Sequence, residues 1–406
     1  MWRLRKGRRL SEGTGPRASS LRVLLALVIG QLGLHSAMAG LRLAAPLQAL
    51  REGYSAWSVG VLLALFAAAP VVLALHAGRL ADRHGYHRPV YLSVLFAVAG
   101  MLLAVAASFL GGALHFGLWC VAAMLTGSGA NMGMLAIQRT AALAARDHHE
   151  RVRMFSWLGV APAFANVIGP VSVGFVIDAA GFRWAYVLLL LLPLVTLVTA
   201  RSVPRLAVAM PSPAAADRTA WDLLRTPGFR RLLAINWLLS MCWDVHSFAV
   251  PILGHERGFS ASTIGLILGA FTLAVSGIRL IVPLVSHHMR ELPVIRGAMV
   301  GTGLVFALYP LAQTPWAMAA CAVLLGCTLG AVQPMIMSTL HHLTPDQRYG
   351  EALALRSMAM NTSSTVMPLV FGLLGSVIGD GMLFWMVGGS VGSGAWLTRR
   401  LKLVRT

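Results

Sequence analysis

Along the whole chain, long apolar stretches alternate with short polar or Gly/Pro-containing breaks. Twelve apolar windows stand out, at 23–48, 58–77, 89–109, 115–138, 154–178, 184–200, 231–252, 262–284, 294–312, 316–339, 353–377 and 382–398. Segments such as 59–75, 89–110 and 185–200 are long enough, or nearly so, to cross ~30 Å of hydrocarbon as helices. The breaks are short, as antiparallel neighbours require, with one exception. Residues 201–230, rich in Pro, Ala and Arg, cannot span, and they divide the chain into six windows and six. The pattern predicts an all-α membrane protein of twelve transmembrane helices. Its parts are a basic tail (1–22), a first half (23–200), a central loop (201–230), a second half (231–398) and a basic tail (399–406).

Composition supports this reading. The 406 residues are 57% hydrophobic and only 12% charged, about half the charged share of a soluble chain. A disordered protein, a collagen and a disulfide scaffold are excluded. The 33 bases and 14 acids give a net charge of +19, which in a soluble chain would suggest nucleic acid. Their placement removes that suggestion. When the gaps are assigned alternately to two sides, 26 bases fall on the side of the termini, three (Arg51, Arg183, Arg257) on the other and four within spans. Lys and Arg are retained on the cytoplasmic side during insertion, so both termini are expected to be cytoplasmic. The first apolar stretch follows Arg3, Arg5, Lys6, Arg8 and Arg9 and has no cleavage-like site, so it reads as a retained helix. Cys120, Cys242, Cys321 and Cys327 lie in apolar runs without metal spacing and read as packing residues.

An internal repeat is visible. Pro170 and Gly174 of the fifth span recur as Pro368 and Gly372 of the eleventh, at a constant separation of 198 residues. An Arg precedes each (Arg151, Arg348), and Gly129-Ala-Asn-Met of the fourth span matches Gly330-Ala-Val-Gln of the tenth in position. The order implies two six-helix halves of equal orientation, an arrangement that holds ligands between the halves near the midplane.

Between the second and third windows runs Gly78-Arg-Leu-Ala-Asp82-Arg83-His-Gly85-Tyr-His-Arg88-Pro. It resembles the signature loop of the major facilitator superfamily at Gly78, Leu80, Asp82, Arg83, Gly85 and Arg88. Tyr86 and His87 stand where that family often has bases, and the equivalent loop of the second half, 286–291, has lost the pattern. Gly78 permits close helix approach, Asp82 can cap a neighbouring helix, and Arg83 and Arg88 can pair with acids across the cytoplasmic interface. The fifth span, with Gly169-Pro170 and Gly174, also resembles the motif of the drug:proton antiporter branch. Val173 occupies the first of that motif's closing glycines, and Ala123 stands where the branch often carries an Arg in its fourth span. The resemblance implies the major facilitator fold, secondary transport, and a cavity lined by spans one, four, seven and ten.

Ionisable groups in hydrocarbon are costly, so each is a functional candidate. In span one, Gln31, His35, Met38 and Arg42 recur at helical spacing on one face. Arg42 lines a cavity or snorkels outward; His35 lines it or bonds a neighbouring helix. Span four offers Asn131, Met134 and Gln138, with Arg139 beside them. Span seven offers Asn236, Ser240, Trp243, Asp244 and Ser247, with His246 adjacent. Asp244 is the one acid well inside a predicted span, which suits a proton carrier or a static ion pair; His35 and His246 are alternative carriers. Span ten offers Gln333 and Met337, while Trp316 reads as an interfacial anchor. Arg279, and Arg356 with Glu351 before it, read as cytoplasmic gate residues or snorkelling bases, and Asn166 and Asn361 as helix–helix hydrogen-bonding groups. The paired histidines 148/149, 287/288 and 341/342 read as solvated loop residues.

No catalytic constellation and no Walker motif is present, so an enzyme is not expected, nor a cofactor or metal, and energy must come from a gradient. The expected protein is a monomer in an inner (plasma) membrane of bacterial type, surrounded by lipid, with protons and a small molecule as partners. Its function is read as proton-coupled efflux of a drug-like or amphiphilic compound. A carrier of a small organic anion, resting on Arg42, His35 and Arg139, and a non-transporting membrane receptor are the alternatives. Replacement of Asp82 by Asn keeps the side-chain shape but removes the negative charge. Asp82→Asn should therefore leave folding intact and slow transport; flux equal to wild type at matched expression would remove this segment from the gate.

Overall fold

The computed structural model describes residues 17–144, 148–205, 220–285, 290–344 and 349–401. Regular structure among them is helical throughout. The first half consists of α1 (Arg17–Arg51), α2 (Ala56–His84), α3 (His87–Ala107), α4 (Gly112–Ala144), α5 (His148–Ala180) and α6 (Phe182–Ala200). The second consists of α7 (Pro227–Glu256), α8 (Ala261–Val285), α9 (Glu291–Leu308), α10 (Pro315–Gly330), α11 (Val332–Leu343), α12 (Tyr349–Ile378) and α13 (Asp380–Arg399). Within the first half α1 packs on α5 and α6, and α3 on α4 and α6; within the second α8 packs on α10, α9 on α13, and α7 on α12 and α13. This is the predicted twelve-span bundle in two halves, with α10 and α11 sharing one span.

Most helices overrun the predicted windows, because helical hydrogen bonding continues through the polar ends. Among the described residues ten spans are long and apolar enough to cross a membrane by themselves, and α7 and α13 are not. Asn236, Ser240, Asp244, His246 and Ser247 dilute α7, and five glycines between 381 and 394 dilute α13. Both complete their halves by packing against neighbours.

Two expectations need correction. The segment 78–88, read as a loop, is mostly helix: α2 continues to His84, and only Gly85 and Tyr86 turn the chain into α3. Gly85 closes α2 at φ 69° with its N–H on the Ala81 carbonyl (3.0 Å), a conformation that favours glycine. The tenth span, predicted as continuous, breaks at Ala331. Pro334 follows four residues after Gly330 and has no N–H to donate to its carbonyl, so the ladder fails there. The central segment 206–219 and Arg348 lie outside the described residues.

The halves meet along two seams, α5 on α8 and α2 on α12, both near the helix ends remote from the termini. Glycine makes each seam. A Cβ at Gly174 would stand 2.5 Å from the Ala261 carbonyl oxygen, and one at Gly265 2.5 Å from that of Pro170. On the other seam Gly372 faces the Ala56 carbonyl (2.9 Å) and Gly60 lies directly on that of Pro368. The Pro–Gly repeat of the sequence thus performs one task twice, by letting backbone touch backbone across the halves. Gly169, by contrast, faces α1 within its own half, against the Ser36 carbonyl (2.5 Å).

The α5–α8 seam carries a further contact. Asp178, at the end of α5, accepts the N–H groups of Ala261 (3.0 Å) and Ser262 (2.7 Å) at the start of α8, and Arg51 lies 4.0 Å from it. A carboxylate suits the positive end of a helix. The three bases on this side are all engaged: Arg51 with Asp178, Arg183 over the Phe109 ring (3.9 Å), and Arg257 with the carbonyls of Ala312 (2.6 Å) and Pro310 (2.9 Å). On the bundle's exterior Val72, Leu280, Val377 and Trp316 are exposed, as a hydrocarbon surround permits.

A methyl group at either seam must push backbone away, since no flexible side chain is there to yield. Gly265→Ala and Gly60→Ala should lengthen the distance between spin labels at the remote ends of α5 and α8, or α2 and α12, in double electron–electron resonance. Gly277→Ala, with open space at its Cβ, should leave it unchanged.

Candidate functional site

With the seams closing one end, space remains between the halves from mid-depth toward the terminal side. A cavity of about 320 Å³ lies there, within the range of small-molecule sites. Arg42 of α1, Asn166 of α5, Trp243 and Asp244 of α7, Arg279 of α8 and Gln333 of α11 are among its lining residues. A smaller cavity of about 60 Å³ lies beside it and contains His246. Arg42, Asn166, Trp243 and Thr272 line both and form the partition.

The ionisable groups of this cavity differ in how they are held. Asp244 is buried and accepts the hydroxyl groups of Ser363 (2.7 Å) and Ser364 (3.1 Å) of α12. It has no ion pair within 4 Å among the described residues. Arg356, also buried, donates from Nε to Asn236 Oδ1 (3.2 Å) and from Nη2 to Gln333 Oε1. It therefore ties α12 to α7 and to the first turn of α11, just beyond the break at Ala331. Arg42 donates to no described residue and stands 6.0 Å from the Phe66 ring centroid. Arg279 is half-buried, and its Nε is enclosed without a hydrogen-bond partner among the described residues.

The candidate residues therefore separate. Arg42, Asn236, Ser240, Trp243, Asp244, Gln333 and Arg279 come together around one cavity, and His246 lies at the second. Gln31, His35 and Met38 sit between helices off both linings, with Gln31 Oε1 and His35 Nδ1 buried and unpartnered among the described residues. Asn131, Met134, Gln138 and Met337 are half-buried and also off the linings. His246 Nε2 shares a hydrogen bond with the Tyr309 hydroxyl (3.0 Å), and its ring lies against Phe271. Arg83 and Arg88 are exposed at the α2–α3 turn. The side chains of Asp82 and Glu351 and the surroundings of Gly78 lie outside the described ones, as do His148, His149, His287 and His288. His342 lies 3.7 Å from Glu291.

Several lining or supporting residues escaped the sequence reading. Asn166, read as a helix–helix bond, donates to the Pro162 carbonyl of its own helix (2.9 Å) and faces the cavity. Ser363 and Ser364 belong to the run Asn361-Thr-Ser-Ser-Thr365. Five polar residues in the middle of an apolar span were a legible signal of a polar surface.

A family profile described as Major Facilitator Superfamily matches residues 27–293 and, in a second overlapping match, 232–405. The chain is 25% identical over 349 residues to the enterobactin exporter EntS of Salmonella choleraesuis (strain SC-B67), covering 83% of this chain and 82% of that protein. It is 26% identical, with the same coverage, to the enterobactin exporter EntS of Salmonella typhimurium. Among solved structures it resembles a POT family transporter in complex with a thioalcohol-conjugated peptide (TM-score 0.73, 13% identity, 92% of this chain and 94% of that one). A POT family transporter in complex with 5-aminolevulinic acid gives a TM-score of 0.71 at 13% identity, over the same shares of the two chains. At such identities the structural likeness is one of fold.

Removing Arg356 would leave two acceptors in the cavity wall without their donor. Arg356→Ala should lower the stability of the purified protein by about 1–3 kcal/mol, read as a drop in thermal unfolding temperature. Arg356→Lys should recover only part, since an ammonium cannot reproduce the fork.

Proposed function

The chain belongs to the Major Facilitator Superfamily and is a multi-pass membrane transporter, and from that premise we propose that it exports a small organic molecule by proton-coupled alternating access. The observation that carries the reading is the cavity between the halves, with Arg42 contributed by the first half and Asp244 by the second. It faces the terminal side, and the excess of bases there supports a cytoplasmic assignment. In this state the site is open to the cytoplasm and closed outward by the two glycine seams. Export requires the seams to part while the terminal ends of the halves close. The relatives named as exporters support the outward direction.

Asp244 is the proton carrier in this reading. Its carboxylate is held by two hydroxyl groups that can equally serve a carboxylic acid, so a proton can come and go without loss of position. Binding of the proton neutralises the group; release restores a charge facing Arg42 across the cavity. The two forms place different electrostatic demands on the contact between the halves, which is what coupling needs. The drug-like reading draws support from Trp243 and Met360 in the lining. The anion reading draws support from Arg42 and Arg279, two cations in the lining against one acid.

The test uses proteoliposomes loaded with the compound giving the largest thermal shift in a screen of small anions and lipophilic cations. Asp244→Asn should abolish concentration of that compound driven by an imposed pH gradient while retaining equilibrium exchange. Undiminished gradient-driven accumulation would assign the proton to another group, with His246 next in line. Absence of any flux through the wild type would remove the transport reading.

A further inference from the structure

We propose that the transported molecule is an organic dianion whose two acidic groups are held at different depths by Arg42 of the first half and Arg279 of the second; this rests on the transport reading and names its substrate class. Three observations carry it. First, both guanidinium groups line the one cavity, and neither makes a hydrogen bond or an ion pair within 4 Å among the described residues, Arg42 having Asp244 only as an opposite charge further off. Arg279 Nε is moreover enclosed, away from any partner. Charged donors buried without acceptors are costly and call for a ligand that supplies them.

Second, the one acid in the lining does not supply them. Asp244 is engaged by Ser363 and Ser364 and stands more than 4 Å from either arginine. Two neutral acceptors of the wall, Asn236 Oδ1 and Gln333 Oε1, are engaged by Arg356. The C-terminal half has thus engaged Asp244, Asn236 and Gln333 with its own donors. The cavity is left with a surplus of positive donors.

Third, the two arginines are rooted at different levels along the bundle axis. Arg42 stands at the partition beside Thr272, and Arg279 follows Thr272 by seven residues on α8, or about 10 Å of helix toward the terminal side. Two acidic groups on a flat scaffold match two cations rooted at two levels, with the scaffold against Trp243, whose ring packs edge-on against Phe271 at 4.7 Å. Guanidinium groups recognise carboxylate-like oxygens by paired hydrogen bonds, so the site selects for planar or tetrahedral oxyanions. Because the arginines come from opposite halves, such a molecule would bridge them, and a monoanion would engage one half only.

The test measures binding to the full chain in detergent by isothermal titration calorimetry, with four probes on one scaffold. These are naphthalene-2,6-disulfonate, naphthalene-2-sulfonate, 2-naphthalenemethanol and 2-naphthylmethylammonium. The disulfonate should bind at least tenfold more tightly than the monosulfonate, and the neutral and cationic probes more weakly still. Arg42→Gln and Arg279→Gln should each reduce disulfonate affinity at least tenfold, to near the monosulfonate level, and the two Lys variants should lose less. Thermal unfolding identifies any misfolded variant, and the wild-type order of the four probes decides the matter without variants. Equal or tighter binding of the cation or the alcohol, a disulfonate affinity unchanged in both Gln variants, or no binding of either sulfonate at millimolar concentration would each overturn the inference. Flux in proteoliposomes is read separately. A disulfonate that binds as described yet is not moved leaves the two-arginine binding site standing and overturns the claim that such dianions are the cargo, whereas absence of flux of every compound overturns the transport reading.

Discussion

Direct contact of backbone with backbone at the two seams is the constraint on which the rest of the structure depends. Side chains larger than hydrogen at Gly60, Gly174, Gly265 and Gly372 would hold the halves apart where they now touch. In hydrocarbon there is no hydrophobic gain in bringing two apolar helices together, so close approach and the dispersion it yields must do the work. The halves converge at the seams and leave a cavity toward the other end. Each of its functional groups is positioned by that convergence, since Arg42 and Asp244 reach the same space from different halves.

Within the cavity, the difference among the arginines is one of partners. Arg356 joins α12, α7 and α11 at the level where the tenth span breaks, with the neutral amides of Asn236 and Gln333 among its acceptors. Arg42 and Arg279 stand on helices of opposite halves, line the cavity, and make no hydrogen bond to a described residue. Ser363 and Ser364 hold Asp244 without neutralising it. A carboxylate kept in place by hydroxyl groups retains both its geometry and its ability to change charge.

Much of the fold was legible because hydrocarbon imposes it: spans must be apolar, helical and about as long as the bilayer is thick. The twelve windows, the six-plus-six division and the Pro170–Gly174 repeat all follow from the order of residues. Legibility failed where a local rule competed with that pattern. Polar residues between Gly78 and His84 looked like a loop, but helix persists wherever its hydrogen bonds can be completed. Pro334 was hidden inside an otherwise even apolar run. At the site, periodicity identified a face on α1 without saying what that face meets: Arg42 reaches the cavity, whereas Gln31, His35 and Met38 pack between helices. Arg356 read as a gate residue, because a lone sequence does not reveal that Asn236 and Gln333 lie within its reach. Asp178 attracted no notice, since an acid at the end of a span is ordinary until its partner helix is known.

The two seams are built alike at the glycines and unlike at their rims. The α5–α8 seam is tied by the Asp178 carboxylate to the first amides of α8, whereas α2, on the other seam, is capped by its own Ser55. One edge is therefore fastened by a partly exposed carboxylate, and among the described residues the other carries no such polar tie across the halves. Salt screens the pairing of Arg51 with Asp178, and among the described residues the other seam has no such ion pair for it to act on. The molecule accordingly resembles a door with a latch on one edge: the α5–α8 rim carries a contact that salt can weaken, and the α2–α12 rim rests on the fit of backbone to backbone.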